Sequence, residues 1–579
     1  MRIYNLKLST KFILFGILLL AAFLRFYNLN WDQGYHLHPD ERAIIMKVVE
    51  LRFPVDNLTS FFTPESTWNP HLFAYGSFPF YLLKIIGEGL GFFEPAFTTY
   101  GLINIAGRFM SAIFDLGTVL LIFYLGKKLH SLTVGYLSAL FYAVSVLPIQ
   151  LSHFYAVDTL LTFFSLAALY QLILFYDKPS SKRAMLIGVF FGMALVTKIS
   201  ALVLLVAIGA TLVADFTLLF LKQPHRPRLW LPHVPSFLKH LIFYAVIISI
   251  TTIIIFIISE PYALIDFKEF WRQTMEQSAM THNAFTFPYT LQYVGKIPYL
   301  YELKNIFLWG MGPFSATLAF AGAIYFFSLI YAKDKHGKWA KEIIIAVFFL
   351  TYFLVVGKFA IGFMRYMLPI YPLLCLFAAL AASKFMKFLK NTIKNRFLLY
   401  ALYAISYTLI FIWPLSFIHI YTQPNTRVAT TSWILKNIPP GKTIAIEHWD
   451  DGLPLSGGQS YQTLTLPLYD PDTPEKWQNI NSLIARTDYV IIASNRLYVP
   501  LQKLTDCDHL PPGRCYTKTT EYYQMLFSGR LGFKKVAEFT SYPTIPFINI
   551  PLNDQGADEN FTVFDHPKVM IFQKIKATL

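Results

Sequence analysis

The chain has 579 residues, 55% hydrophobic, 17% aromatic and only 14% charged, with a formal net charge of +15. A soluble domain carries about a quarter of its residues as charges. This composition therefore excludes an ordinary soluble enzyme, and repeated apolar stretches of bilayer length predict a polytopic membrane protein. The basic excess does not point to nucleic acid. Residues 425–579 hold 15 basic and 15 acidic groups, the rest of the chain 34 and 19, and that excess sits in alternate loops, as cytoplasmic anchors do.

The first apolar stretch covers residues 12–28. No small-residue cleavage site follows it, which predicts a retained helix and not a removed signal peptide. Further stretches cover 102–125, 132–151, 157–176, 184–197, 199–221, 240–259, 305–331, 342–357, 366–383 and 397–421, for about eleven spans. Lys198 separates two short stretches. Two helices meeting there put every basic cluster on one side: Arg2/Lys7/Lys11, Lys127/Lys128, Lys178/Lys182/Arg183, Lys222/Arg226/Arg228, Lys333/Lys335/Lys338/Lys341 and Lys384/Lys387/Lys390/Lys394/Arg396. One continuous helix would destroy that bias. The expected topology has a cytoplasmic N-terminus and outer segments at 29–101, 152–156, the Lys198 turn, 260–304, 358–365 and beyond 421. The first outer loop, 29–101, is rich in proline and aromatics and reads as short interfacial helices.

From about residue 425 the chain turns charge-balanced. A helical stretch (Ser432 to Asn437), strands at Thr443 to Glu447 and Asp488 to Ala493, and a hairpin over Thr562 to Gln573 predict a small α/β domain outside the membrane. The division expected is 1–424 transmembrane and 425–579 extracytoplasmic. Cys375 lies in an apolar span and reads as packing. Cys507 and Cys515 flank a short outer loop where a disulfide is permitted, and spacing alone leaves that bridge open.

Charged groups at a membrane edge are functional candidates. On the expected outer side lie Asp40 and Glu41 of His38-Pro39-Asp40-Glu41, Arg108 near the end of the second span, Asp158 opening the fourth, Lys198, and Arg365 before Tyr366-Met367-Leu368-Pro369. Cations to hold a phosphate and a carboxylate to accept a proton suit transfer from a lipid-borne phosphate. Bland readings stand beside this one. Asp40-Glu41 or Asp158 could serve as helix-terminal acids, and Lys198 or Arg365 as snorkelling anchors. Arg108 divides evenly between the two kinds of role. Asp115, inside a span, reads as a partner for a neighbouring helix. His38, His153 and His282 lack tight metal-ligand spacing. Trp449, Asp450 and Asp451, in Glu447-His448-Trp449-Asp450-Asp451-Gly452, read either as acceptor recognition or as a polar turn.

Several segments together resemble the polyprenyl-phosphate-sugar-dependent glycosyltransferases of the membrane C-type (GT-C) fold, nearest the protein O-mannosyltransferase and lipid A aminoarabinose transferase group. They are the acidic pair opening the first outer loop, Tyr155-Ala156-Val157-Asp158-Thr159-Leu160-Leu161, Gly188 through Gly192 to Thr197-Lys198, and Arg365-Tyr366-Met367-Leu368-Pro369. The likeness covers about the first 420 residues. It implies Asp40 as catalytic base supported by Glu41, Asp158 orienting the site or binding acceptor, and Lys198, Arg365 and Arg108 on the donor phosphate. The partners implied are the bilayer, a polyprenyl-phosphate-linked sugar and a hydroxyl acceptor on protein, lipid or glycan, with inversion at the anomeric carbon. Trp-Trp-Asp-Tyr-Gly and an Asp-X-Asp in the first outer loop, features of the oligosaccharyltransferase branch, are missing from the sequence. No cofactor is called for, and a divalent metal is left open. The rival readings are a transporter or flippase of polyprenyl-linked substrate, and a lipid-to-glycan ligase or polymerase.

Overall fold

The computed structural model of the protein describes residues 2–222, 234–332, 340–455 and 460–575. Of the expected basic loop residues, Arg226, Arg228, Lys333, Lys335 and Lys338 lie outside the described residues.

Each of the eleven apolar stretches is helical. The helices are α1 (Arg2–Phe26), α4 (Ile103–Leu129), α5 (Leu132–Ala143), α6 (Val146–Ser152), α7 (Asp158–Asp177), α8 (Ser181–Leu195), α9 (Leu204–Lys222), α10 (Val234–Ser259), α12 (Pro313–Ala332), α13 (Ala340–Gly357), α14 (Tyr371–Thr392) and α15 (Arg396–Ile418). Two more between α1 and α4 are α2 (Pro39–Glu50) and α3 (Phe78–Gly91), and α11 (Phe267–His282) follows α10. Among the described residues seven helices are long and apolar enough to cross a membrane, eight if α5 and α6, bent by 57°, form one span. The expected eleven is not reached by length alone, because α8 is only 15 residues long and the apolar parts of α1 and α9 are short. The chain does break at Lys198, where α8 ends and a 3-10 turn, Ile199–Val203, leads into α9.

Close packing of these helices follows from small residues. α8 presents Gly188 and Gly192 to α10; a Cβ on Gly188 would stand 2.7 Å from the Ile248 carbonyl oxygen, and Thr252 Oγ1 donates to the Gly188 carbonyl at 3.2 Å. Such small-residue seams let helix backbones meet where no hydrophobic effect drives them together. At one end of the bundle Asp177 closes α7 against Lys128 of α4 (2.7 Å) and Lys341 of α13 (2.5 Å). Asp158 opens α7 at the opposite end.

Within the bundle, Arg25 of α1 donates from Nε to Asp115 of α4 (2.5 Å), and Tyr142 of α5 donates to the other carboxylate oxygen (2.5 Å). Asp115 is thus the interhelical partner its position suggested. A pair this buried is costly to break from one side.

After residue 425, α16 (Thr426–Asn437), α17 (Pro474–Ala485) and α18 (Thr517–Phe527) flank a five-stranded mixed sheet. Its strands are β1 (Thr443–Glu447), β2 (Gln462–Leu466), β3 (Tyr489–Ile492), β4 (Phe533–Phe539) and β7 (Val569–Lys574), in the order β2-β1-β3-β7-β4. β1 runs parallel to β2 and β3, while β7 is antiparallel to β3 and β4. Alternation sorts the two faces. Tyr489, Ile491, Val569 and Ile571 join a cluster with Ile434 of α16; Val490, Ile492, Met570 and Phe572 join one with α17 and α18. Strands β5 (Thr544–Ile545) and β6 (Ile550–Pro551) form a separate antiparallel pair. Cys507 and Cys515 are disulfide-bonded.

The hairpin expected over Thr562 to Gln573 does not form. Only its second half is a strand, β7. Phe561, Val563 and Phe564 belong instead to the core of the membrane bundle, and burying that apolar run against the helices outweighs pairing it with β7.

Asp115→Ala leaves Arg25 buried without its charge partner and should cost about 3–5 kcal/mol of stability. Thermal unfolding in detergent, compared with wild type, measures this.

Candidate functional site

Arg108 of α4 anchors the site. It is wholly buried, and its guanidinium donates to Glu41 from Nε (2.9 Å) and Nη2 (2.6 Å) and to Asp32 from Nη1 (3.0 Å) and Nη2 (2.7 Å). It also donates to the Leu29 carbonyl at 2.7 Å and lies over the Trp31 ring. Asp32 accepts the backbone amides of Gly34 and Leu37 as well; burial opposes its charge, but Arg108 and these amides hold its pKa below the usual value. Glu41 receives the Tyr155 amide at 2.9 Å, and here burial prevails and raises its pKa. Neither Glu41 nor Arg108 faces open space.

Asp40, the preceding residue of α2, points elsewhere. The side chain that caps α2 is His38, which accepts from the Glu41 amide at 3.3 Å. Asp40 lines a polar cavity of about 340 Å³ and is bonded to Arg365 Nη1. Burial alone would raise its pKa, but the Arg365 guanidinium overrides this and holds the carboxyl well below the usual carboxylate range.

Arg365 sits in a 3-10 turn, Met364–Ile370, leading into α14, and its Nε lies 4.0 Å from Asp158 Oδ2. The other Asp158 oxygen receives Lys198 Nζ at 2.9 Å. Asp158 caps no helix amide: the N-cap of α7 is Val157, at φ +55°, a left-handed conformation rare for a β-branched residue. Asp158 Oδ2 and Arg365 Nε are buried with no hydrogen-bond partner. Lys198 Nζ stands 4.4 Å from the centre of the Tyr366 ring. Neither cation reaches into water as a snorkelling anchor would; their side chains are only 14% and 12% exposed. Asp40, Arg365, Asp158 and Lys198, drawn from four separate segments, thus form one alternating chain of charge.

The segment between α1 and α4 braces this chain. Gly76 N donates to the Thr197 carbonyl (3.1 Å) and Phe78 N to the Val196 carbonyl (3.4 Å), so residues 76–78 run along the turn that carries Lys198. A Cβ on Gly76 would collide with the Val196 carbonyl. Beside the polar cavity lies an apolar one of about 400 Å³, walled by Leu202, Val203, Met275, Val355 and Phe359. The two share Ala74, Gln277 and Met280 together with Lys198 and Tyr366.

The far wall of the polar cavity belongs to the C-terminal region. Trp449, Arg496, Asn560 and Phe564 line it, and Tyr75 and Tyr289 line the same cavity. Trp449, at φ +64°, is half exposed. Asp450 does not line the cavity; it is buried against Arg427 (2.6 Å) and accepts from Ser494 (2.5 Å). Asp451 pairs with Arg42 of α2 at 3.1 Å. Asp32, Tyr75, Tyr289, Arg496, Asn560 and Phe564 escaped the sequence reading. Only Asp32 carried a signal, as an acid directly after the first span. His153 bonds the Ile149 and Tyr27 carbonyls, and His282 bonds the Ser278 carbonyl. The described residues hold no group of three His, Cys, Asp or Glu side chains fit to bind a metal.

Residues 100–255 match the family model described as dolichyl-phosphate-mannose-protein mannosyltransferase. That stretch contains Arg108, Asp158 and Lys198 and stops short of Arg365. No curated protein matches the sequence. Solved structures of the Archaeoglobus fulgidus oligosaccharyltransferase align over 98% of this chain and 89% of theirs. The apo form does so at 12% identity and a TM-score of 0.51. The enzyme AglB in complex with an inhibitory peptide and a dolichol-phosphate does so at 13% identity and a TM-score of 0.50. ArnT from Cupriavidus metallidurans bound to undecaprenyl phosphate aligns over 98% of both chains at 10% identity, with a TM-score of 0.44. Family match and fold agree with the resemblance read from the motifs: part of the bundle matches a mannosyltransferase model, and the chain has the membrane C-type fold. It has the fold of the oligosaccharyltransferase without that branch's short motifs.

The C-terminal wall is held by a buried histidine. His566 bonds Asp565 through Nδ1 (2.5 Å) and Asp554 through Nε2 (2.8 Å), and Asp565 also receives Tyr421 (2.8 Å) and Gln150 of α6 (3.0 Å). Burial disfavours the imidazolium, but the two carboxylates win and push its pKa up to about 10. A folded value above the unfolded one of 6.5 makes this contribution fully present below pH 6.5 and lost as pH rises toward 10. Wild type should therefore lose more thermal stability than His566→Gln between pH 7 and pH 10 in the same detergent. Parallel curves would refute the linkage.

Proposed function

We propose that the protein transfers a sugar from a polyprenyl-phosphate carrier to a hydroxyl acceptor, on protein, lipid or glycan, in the polar cavity between its membrane bundle (1–424) and its C-terminal domain (425–579). Cavity and domain lie on the extracytoplasmic face, with the N-terminus in the cytoplasm, as the basic loops require. The observation that carries this reading is the junction of the two cavities at Lys198 and Tyr366. An isoprenoid tail fits the apolar cavity, the phosphate reaches Lys198 and Arg365, and the sugar projects toward Asp40. A structural neighbour supports the same reading: AglB was solved with a dolichol-phosphate.

In the proposed reaction the acceptor oxygen attacks the anomeric carbon from the face opposite the phosphate. Its proton passes to Asp40, the bond from carbon to phosphate oxygen breaks, and configuration inverts. The phosphate leaves as an anion held by Lys198 and Arg365. Asp158 holds both cations in place. Glu41 and Arg108 position α2, and so Asp40, without touching substrate. Arg365 restrains Asp40 as a base while the two are paired. A donor phosphate that draws Arg365 away frees the carboxylate at the moment it is needed. Trp449 is the C-terminal residue assigned to acceptor contact; Asp450 and Asp451 are assigned to holding its loop.

In nanodiscs supplied with polyprenyl-phosphate sugars, Asp40→Asn should lower the transfer rate about 10²–10⁴-fold, the range of a lost general base. Its donor binding should persist. Unchanged transfer, or lost binding, would reject Asp40 as the base. A transporter would retain flux in this variant. Lys198→Ala should weaken donor binding about 10- to 100-fold, the range of a charge-assisted hydrogen bond, read by competition with labelled lipid phosphate.

A further inference from the structure

The β5–β6 pair lies apart from the sheet and takes no part in the site. From Phe539 to Asn553 the chain carries no charge, although the region around it is balanced. Across the pair Thr544 faces Pro551 and Ile545 faces Ile550. The turn between holds Phe547 at φ +70° and Asn549 at φ +53°, left-handed conformations that fix the shape of the tip. The tip is apolar and uncovered: Phe547 is 100% exposed, Ile548 61% and Ile550 50%. In a water-facing domain such an exposed cluster calls for a partner.

Position says which partner. β5 packs against α15, a membrane-spanning helix whose Ile405 and Leu409 are exposed as lipid-facing residues are. Leu552, just past β6, packs against the core of the membrane bundle. The tip therefore projects beside the belt of the bundle that meets lipid. Strand pairing with a second copy is disfavoured, because Pro543, Pro546 and Pro551 remove amide donors from this short edge. An uncharged apolar tip next to a lipid-facing helix suits the boundary between headgroups and acyl chains.

We propose that the tip from Pro546 to Ile550 inserts into the membrane leaflet on the cavity side and anchors the C-terminal region to lipid. The inference rests on the membrane fold alone and is independent of the sugar chemistry. Its effect is to steady the region that brings Trp449, Arg496, Asn560 and Phe564 to the cavity.

The test needs one reactive thiol. Cys375 is buried and Cys507 is bonded to Cys515, so Phe547→Cys can be labelled with an environment-sensitive nitrobenzoxadiazole dye in the full chain. Lys534→Cys, on exposed β4, serves as the aqueous control. In phosphatidylcholine nanodiscs, the dye at 547 should emit to the blue of the control. It should lose emission to nitroxide-labelled phospholipid and resist aqueous iodide, whereas the control should do the reverse. Iodide quenching at 547 equal to the control would overturn the proposal. Protection from iodide without quenching by nitroxide lipid would overturn it too, since protein would then cover the tip.

Discussion

The site depends on one buried arginine. Arg108 lies between Asp32 and Glu41 with almost every guanidinium hydrogen bonded. Burying three charges is costly, and geometry this complete is what offsets the desolvation. The result is a fixed helix α2. Consecutive helix residues diverge by about 100°. Locking Glu41 inward therefore turns Asp40 toward the cavity, where Arg365 meets it. Two adjacent carboxylates, chemically near-equivalent in sequence, receive opposite environments from a single anchoring contact.

The convergence of distant charges was legible because topology constrains it. Basic loops set the side of each helix end, and Asp40, Asp158, Lys198 and Arg365 all came out on the same side. The break at Lys198 was readable from loop charge even though hydropathy alone is ambiguous there. Strand β1 was readable from its alternation and flanking turns. What failed was the hairpin at 562–573: an apolar run next to a strand looks like another strand until the helices that cover Phe561 and Phe564 are known. The count of eleven spans is not reached by helix length for a related reason. Short and bent helices are apolar enough to suggest a crossing but are not long enough to demonstrate one.

The C-terminal wall of the cavity was illegible for a different reason. Arg496, Asn560 and Phe564 belong to a region whose composition announces only a soluble domain, and nothing local marks them as facing a membrane site. They arrive there through the His566 cluster, which ties Asp554 and Asp565 to Gln150 and Tyr421 of the bundle. Asp450 and Asp451, the acids that stood out by eye, proved to be tied up in ion pairs, while the aromatic beside them reached the cavity. The three candidates of that loop, Trp449, Asp450 and Asp451, thus sit in different surroundings that their spacing does not distinguish.

The shared wall at Lys198 and Tyr366 has a kinetic consequence. On the proposed reading, the spent isoprenoid retreats sideways into the bilayer through the apolar cavity, and the glycosylated product departs through the wet one. The two exits do not cross, so neither product must wait for the other. Turnover then has no obligatory order of release.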